Sequence, residues 1–307
     1  MKQTVRILLA LLLLSFPLSM SAQVMELRPP KRTVTTPSKK KKKVKELSAE
    51  EMYAKGYDFN KARDYTQAAE WFRKAAEKGH SDAQIWLGYC YEVGQGLYKD
   101  YSQAVYWYRK AAEQGNAIAQ YDMGLCYENA RGVSQDHTQA VYWYRKAAEQ
   151  GHILAQYNLG LCYSNGRGVS QDHTQAVSWF RKAAEQGHSD AQVWLGYCYE
   201  VGQGVYMDHS QAVYWYRKAA EQGNATAQYN LGLCYSNSRG VSQDYSQAVY
   251  WYRKAADQGY ADAQCNLGNC YYNGQGVAKN VSLARQWWQK AADQGHQIAK
   301  GNLERYH

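Results

Sequence analysis

Residues 83–118 read AQIWLGYCYEVGQGLYKDYSQAVYWYRKAAEQGNAI, and this stretch decides the fold. Ala83, Leu87, Cys90 and Tyr91 stand at i, i+4, i+7 and i+8, one apolar face of a 3.6-residue period, which predicts a helix over about residues 82–93. Gly94 and Gly96 supply the positive-φ positions that a C-cap and a tight turn require. A second helix starts near Asp100 or Ser102, both good N-caps, with Ala104, Trp107, Tyr108 and Ala111 on its buried face and Gly115 at its close. Gly88 and Ala104 are small because two antiparallel helices approach closely only where side chains are short. A larger residue at either is expected to cost about 1–3 kcal/mol in overpacking.

Outward from this stretch, the same 36-residue unit recurs without insertion. Ala83-Gln84, Ala119-Gln120, Ala155-Gln156, Ala191-Gln192, Ala227-Gln228 and Ala263-Gln264 mark six unit starts, and Trp107, Trp143, Trp179, Trp215, Trp251 and Trp287 keep the same interval. So regular a period describes a solenoid in which each unit contacts mainly its neighbours. AQIWLGYCYEVGQG from Ala83 returns as AQVWLGYCYEVGQG from Ala191, 108 residues later, so units have been copied in blocks of three. The first unit differs: Ala49 and Ala83 are 34 residues apart, residues 59–65 replace the glycine turn, and Gly56, Ala68, Phe72 and Ala75 take tetratricopeptide spacings. The expected organisation is therefore a tetratricopeptide-like N-terminal unit at 48–82, six repeats over 83–298, and a capping stub at 299–307 that covers the last hairpin.

The unit A-x-x-x-L-G-x-x-Y-x-x-G-x-G-V, followed by D-x-x-x-A-x-x-W-Y-x-K-A-A-E-Q-G, stands here as Ala155, Leu159-Gly160, Tyr163, Gly166, Gly168-Val169, Asp172, Ala176, Trp179-Phe180 and Lys182-Ala183-Ala184. It resembles the Sel1-like repeat, a relative of the tetratricopeptide repeat with a longer turn between its helices. The resemblance implies an all-α fold, a right-handed α-α superhelical solenoid of helical hairpins, that serves as an adaptor in protein complexes, often outside the cytoplasm. Ala130 and Ser238 depart from the pattern at the first turn glycine, so those turns are expected to be strained or differently closed. A cysteine-rich branch of the family links neighbouring units by disulfides, and penicillin binding and β-lactamase activity have been ascribed to it. Ala112 and Ala119 occupy those cysteine places here, so the enzymatic expectation does not transfer.

The net charge of +9 belongs to one end of the chain. Eleven of the 36 basic residues and two of the 27 acidic ones precede Ser48, which leaves 25 of each sign for the rest. A basic solenoid is thereby excluded at the level of net charge, and with it most of the case for nucleic acid. Lys2 and Arg6, the apolar run over 7–14, and small residues up to Ala22 have the order of a secretory signal peptide, expected at 1–22. That run is too short for a span of roughly 20 residues, and no later segment has the length and apolarity of a transmembrane helix. Residues 23–47 read as a basic, disordered linker whose like charges keep it extended. Its unbroken Lys39, Lys40, Lys41, Lys42 and Lys43 offer electrostatic contact to an anionic envelope surface. The mature protein is expected to be periplasmic or secreted.

Little in the chain points to chemistry. Cys90, Cys126, Cys162, Cys198, Cys234 and Cys270 share one repeat position on helices spaced roughly 8–10 Å apart, beyond the Cα separation of about 7 Å that a disulfide allows. They read as buried core thiols. His137, His173 and His209 recur beside Asp136, Asp172 and Asp208, but successive units hold them too far apart to share an ion at ligand distances of about 2 Å, so they are expected to be exposed first-turn residues. His152 and His188, in the turns between units, are read the same way. No nucleophile elbow, phosphate cradle or zinc spacing is present, and neither enzymatic activity nor a metal or cofactor is expected.

Binding is the remaining reading. First helices of related repeats line a concave surface, and by their offset from the buried positions the third and seventh residues of each unit should face it. These are Ile85 and Tyr89, Tyr121 and Leu125, Tyr157 and Leu161, Val193 and Tyr197, Tyr229 and Leu233. Glu92, Glu128, Ser164, Glu200 and Ser236 follow as polar contacts. A row of tyrosines and aliphatics with interspersed acids suits an extended protein or peptide partner, because Tyr gives large contact area at low entropy cost. The alternative is a cell-wall protein, binding peptidoglycan or assisting a hydrolase, whose aromatics stack on sugar rings.

Overall fold

The computed structural model describes residues 46–306. The signal peptide expected at 1–22, all but the last two residues of the expected linker with its lysine run, and His307 lie outside the described residues. Among the described residues the secondary structure is helical, with fifteen helices and no strand. They fall into two compact units, the first ending at His152 and the second beginning at Ile153.

The first unit holds three hairpins: α1 (Ala49–Lys61) with α2 (Tyr65–Glu77), α3 (Ser81–Val93) with α4 (Tyr101–Glu113), and α5 (Ala117–Glu128) with α6 (His137–Glu149). The second holds α7 (Ile153–Asn165) with α8 (His173–Glu185), α9 (Ser189–Val201) with α10 (His209–Glu221), α11 (Ala225–Asn237) with α12 (Tyr245–Asp257), and α13 (Ala261–Asn273) with α14 (Val281–Asp293). A last single helix, α15 (Gln297–Arg305), packs on α14. It buries Ala299, and Tyr306 beyond it lies against the rings of Tyr272 and Trp288. Within each unit every helix packs on the next, the arrangement of stacked hairpins.

Local chemistry places each boundary. Asp100 is the N-cap of α4, its Oδ1 accepting from the backbone of Ser102 at 2.9 Å and Gln103 at 3.0 Å, and Asp136, Asp172, Asp208 and Asp244 cap their helices in the same way. Five of the helices that open a repeat start on a ring or an amide instead: His80, His188 and His296 accept through Nδ1, Asn116 and Asn224 through the side-chain oxygen. Gly94 ends α3 in the left-handed region at φ 76°. Ala130 and Ser238 hold the same conformation, at φ 54° and 56°, so the departures from glycine are strained as expected. An L-residue there costs about 1–2 kcal/mol. Ala130→Gly is therefore expected to raise the unfolding free energy of the first unit by about 1 kcal/mol, measured by urea denaturation.

Close packing of the hairpins rests on glycine facing a ring. A Cβ on Gly88 would lie 2.6 Å from Tyr108, and one on Gly160 2.6 Å from Phe180, so each ring occupies the space a methyl group would need. Successive repeats are tied by a glutamine relay. In the second unit the buried Gln192 donates to the carbonyl of Ala184 at 3.0 Å and accepts from Gln222 at 2.8 Å, and Gln228 does the same with Ala220 and Gln258. Gln84 and Gln120 in the first unit, and Gln192, Gln228 and Gln264 in the second, are thus polar staples that satisfy the last turn of the preceding helix. Arginines add a second tie, Arg181 donating to the Tyr199 hydroxyl and Arg217 to that of Tyr235, each at 2.8 Å.

Candidate partner-binding surface

The ten residues expected to line the groove separate by burial. Ile85, Tyr121, Tyr157, Val193 and Tyr229, all at the third position, are core side chains, and so is Leu125; none exceeds 7% exposure. This corrects the expectation that they face a partner. Their rings are spent internally: Tyr121 stacks on His152 at 4.8 Å between centroids, Tyr157 on His188 at 4.6 Å and Tyr229 on Tyr260 at 5.1 Å. Val193 belongs to a core cluster with Tyr216, Leu231 and Trp251. First helices inside a unit, such as α11, are wedged between the helices before and after them, which the Ala-Gln-Tyr-Asn-Leu-Gly-Leu-Cys-Tyr string of α11 signals by being apolar on more than one face. Tyr89, Leu161, Tyr197 and Leu233, at the seventh position, are half-buried and keep part of their surface open.

The polar contacts ascribed to this face also turn inward. Tyr216 donates to Glu200 Oε2 at 2.8 Å while Arg239 holds Oε1 at 2.9 Å. Tyr108 and Arg131 do the same for Glu92, at 3.0 and 3.1 Å. Burial pushes the Glu92 carboxyl up, against the downward pull of Tyr108 and Arg131. Beside it lies Asp122 of α5, completely buried, with no hydrogen-bond partner on either oxygen. Burial first, and the Glu92 carboxyl second, hold it well above the usual carboxylate range.

His137, His173 and His209 are half-buried rather than exposed, and over His173 and His209 the turn of the following repeat closes this end of the helix. A Cβ on Gly204 would meet the His173 carbonyl oxygen at 2.2 Å, and one on Gly240 that of His209 at 2.2 Å. The His173 ring contacts Gln203 Nε2 at 3.0 Å. His152 and His188 are also half-buried, and burial depresses both, His152 to about 4. No group of three metal-ligating side chains forms among the described residues.

The cysteines are core residues, and no disulfide joins them among the described residues. Burial pushes the thiols of Cys90, Cys198 and Cys234 up to about 12 and that of Cys270 to about 11. Thiolate is the reactive form. Folded protein at pH 8 is therefore expected to leave its thiols unlabelled by an aromatic disulfide reagent, and urea to release all seven; rapid labelling of the folded chain would contradict their burial.

What the outer surface does expose is aromatic and recurrent. Tyr106 and Tyr142 in the first unit, Tyr214 and Tyr250 in the second, are 46–49% exposed, each set edge-on against the following Trp at 4.9–5.0 Å. The sequence reading passed over them because it assigned function to first helices. The Y-W-Y string was the available signal, since one helical face cannot bury three consecutive rings.

Stacked helical hairpins with inward-turned polar groups and exposed aromatics define a helical-hairpin repeat protein. A model of the Sel1 repeat matches residues 46–80, 81–116, 117–152, 153–188, 189–224, 225–260 and 261–296. The chain belongs to the Sel1 repeat family, and its first hairpin, set apart above as tetratricopeptide-like, is matched as one of seven repeats. Among solved structures it is similar to c5321, a protective antigen present in uropathogenic Escherichia coli strains, with 37% identity and a TM-score of 0.68 over 83% of this chain and 64% of that one. The chain thus spans less than two thirds of that relative. It is similar also to a Sel1 repeat protein from Oxalobacter formigenes, again with 37% identity and a TM-score of 0.68, over 78% of this chain and 96% of the other. No curated protein matches the chain. No helix among the described residues is long and apolar enough to cross a membrane.

Proposed function

We propose that this chain is an exported, non-enzymatic scaffold that binds a protein or peptide partner along its first-helix face. The observation that carries the reading is the contrast between committed and open groups. In the second unit Glu200, Gln192 and the cap residue His188 are bonded or stacked within the repeats, whereas the seventh-position side chains Leu161, Tyr197 and Leu233 keep surface open. Open aromatic and aliphatic surface on a rigid frame is what protein contact needs, since rings held by packing lose little entropy on binding. Export rests on residues 1–22 and places the scaffold in the periplasm or outside the cell.

A photo-crosslinking residue at position 197 is expected to join the chain to a discrete envelope protein, and Leu161→Ala with Leu233→Ala to remove the adduct. Retention on purified peptidoglycan without any protein adduct would replace the reading by a cell-wall one. Turnover of a substrate by the pure protein would end it.

A further inference from the structure

One turn of the second unit departs from its sister turns in a way that packing does not require. After α7 and after α11 the turn runs Val-Ser-Gln, and Gln171 and Gln243 donate through Nε2 to the carbonyls of Ser164 and Ser236, each at 2.8 Å. After α9 it runs Val205-Tyr206-Met207. A methionine has no donor for that bond. Tyr206 takes the place of a serine only to stand 96% exposed, with Met207 63% exposed beside it. The two side chains border a cleft of about 760 Å³ together with Tyr199, Val205 and Asp208. Adjoining apolar side chains left open beside a concavity of that size fit a ligand site.

The lining specifies a cation. Among the described residues it holds one carboxylate, Asp208, and no basic side chain. Asp208 caps α10 through Oδ1, which accepts from the backbone of Ser210 at 2.9 Å and Gln211 at 3.0 Å, so Oδ2 takes no part in the cap. Tyr206 adds an open ring face that attracts positive charge, and Val205 and Met207 add apolar surface that suits a methylene stem. Arg181 already donates to the Tyr199 hydroxyl at 2.8 Å and lies 5.7 Å from its ring centroid, so Tyr199 serves as a wall and Tyr206 as the seat. We propose that the turn 202–208 binds a lysine or arginine side chain of an extended partner segment, its stem laid on Val205 and Met207 and its charge set between the Tyr206 ring and the Asp208 carboxylate. The first unit supplies the contrast. Its corresponding turn reads Tyr98-Lys99-Asp100, with Lys99 in the place of Met207 and lying 4.7 Å from the Tyr101 centroid, so a cation is already present there. The inference rests on the scaffold reading, gives the chemical class of a partner segment, and uses residues other than the first-helix row.

Each test variant is a residue that the chain already carries at the equivalent place: Tyr206→Ser as at Ser170 and Ser242, Met207→Lys as at Lys99, and Asp208→Asn as at Asn280, which caps α14. The probe is an end-capped Ala-Ala-Lys-Ala-Ala peptide titrated into the full chain, with Lys39, Lys40, Lys41, Lys42 and Lys43 changed to Gln so that they do not compete, and methionine methyl groups are followed by NMR. The Met207 methyl signal is expected to move while those of Met52 and Met123, buried in the first unit, stay in place. The same peptide with its lysine Nε-acetylated is expected to bind about tenfold more weakly, as is the unmodified peptide to the Asp208→Asn and Tyr206→Ser chains. Met207→Lys, read from the peptide's own lysine signals, is expected to abolish binding. Equal binding of the acetylated peptide, or indifference to Asp208→Asn, would overturn the proposal. So would choline moving the Met207 signal more strongly than the peptide, which would assign the cleft to a quaternary ammonium. A Met207 shift on self-association of the chain with its lysine run intact would overturn it too, by making a second copy the occupant. Loss of peptide binding in Leu161→Ala with Leu233→Ala, and not in the turn variants, would refute this surface and leave the first-helix reading standing.

Discussion

Gly204→Ala is expected to destabilise the second unit by about 3 kcal/mol, a large loss for the addition of a single methyl group. Two costs combine. Gly204 has φ +72°, where an L-residue pays about 1–2 kcal/mol, and its Cβ would stand 2.2 Å from the His173 carbonyl oxygen and 2.4 Å from the carbonyl carbon. A side chain in the way can rotate, but backbone at the first residue of α8 can move only by lifting one repeat off the next, so an overpacking cost of about 1–3 kcal/mol is added. Gly223 isolates the first cost: it has φ +94° and nothing within 4 Å of a built Cβ, and Gly223→Ala should lose only about 1 kcal/mol. Because repeat stability is a sum of units and nearest-neighbour interfaces, the damage should be local. Hydrogen exchange should quicken most around residues 173–204, with urea denaturation giving the totals. Equal losses in the two variants would show that the turn does not seat against the preceding helix.

The second turn glycine was legible in the sequence as a turn residue but not as a contact. Local signals carried the hairpins well: the 3.6-residue period, Asp100 as a cap and Gly94 as a terminator gave α3 and α4 within a residue, and the need for close approach singled out Gly88, although the group that fills its space is the ring of Tyr108. Trp107 is half-buried rather than buried, because the ring lies at the edge of the helix face with Tyr106 across it. The groove failed for a geometric reason. A single hairpin has one buried face and one open face, and third-position residues lie on the open one. In the stack, the cap ring of the following repeat covers it, as His188 covers Tyr157, and that contact joins residues 31 positions apart. The same distance problem hid the glutamine relay: Gln192 and Gln222 read as solvent-facing polar residues until two repeats are brought together. Exposed Tyr214 and Tyr250 were legible in principle, since three successive rings cannot share one face, but that argument says where a ring is left over and not what it meets.

Asp122→Asn is expected to stabilise the first unit at neutral pH by roughly 1–3 kcal/mol, the range for relieving a buried polar group of a cost it cannot offset. Asn stands at the equivalent positions 158, 230 and 266, so the repeat accepts the amide in shape. The wild-type carboxyl has no hydrogen-bond partner, is completely buried, and shares its surroundings with the Glu92 carboxyl, the Tyr108 hydroxyl, the Cys126 thiol and the Arg131 guanidinium. Burial is the larger cause of its raised pKa and Glu92 the lesser, while Arg131 is already engaged by Glu92. The folded chain therefore keeps the Asp122 proton at a pH where the unfolded chain, titrating near 3.8, has released it. The unfolded state then binds fewer protons than the folded one, and stability must fall as pH rises from about 4 toward the folded pKa. Below pH 4 both states hold the proton and the term vanishes, so wild type and variant should there unfold at similar urea concentrations. Their difference should open steadily above pH 4. Glu92, raised by burial as well, leaves the variant a smaller residual slope of the same sign. Urea denaturation from pH 3 to pH 8 reads both slopes directly, and parallel curves would mean that Asp122 finds a partner for its charge in the folded protein. The two units separate the effect further: Glu200, Tyr216 and Arg239 repeat the Glu92 arrangement in the second unit with Asn230 in the place of Asp122, so hydrogen exchange there should show no matching loss with pH.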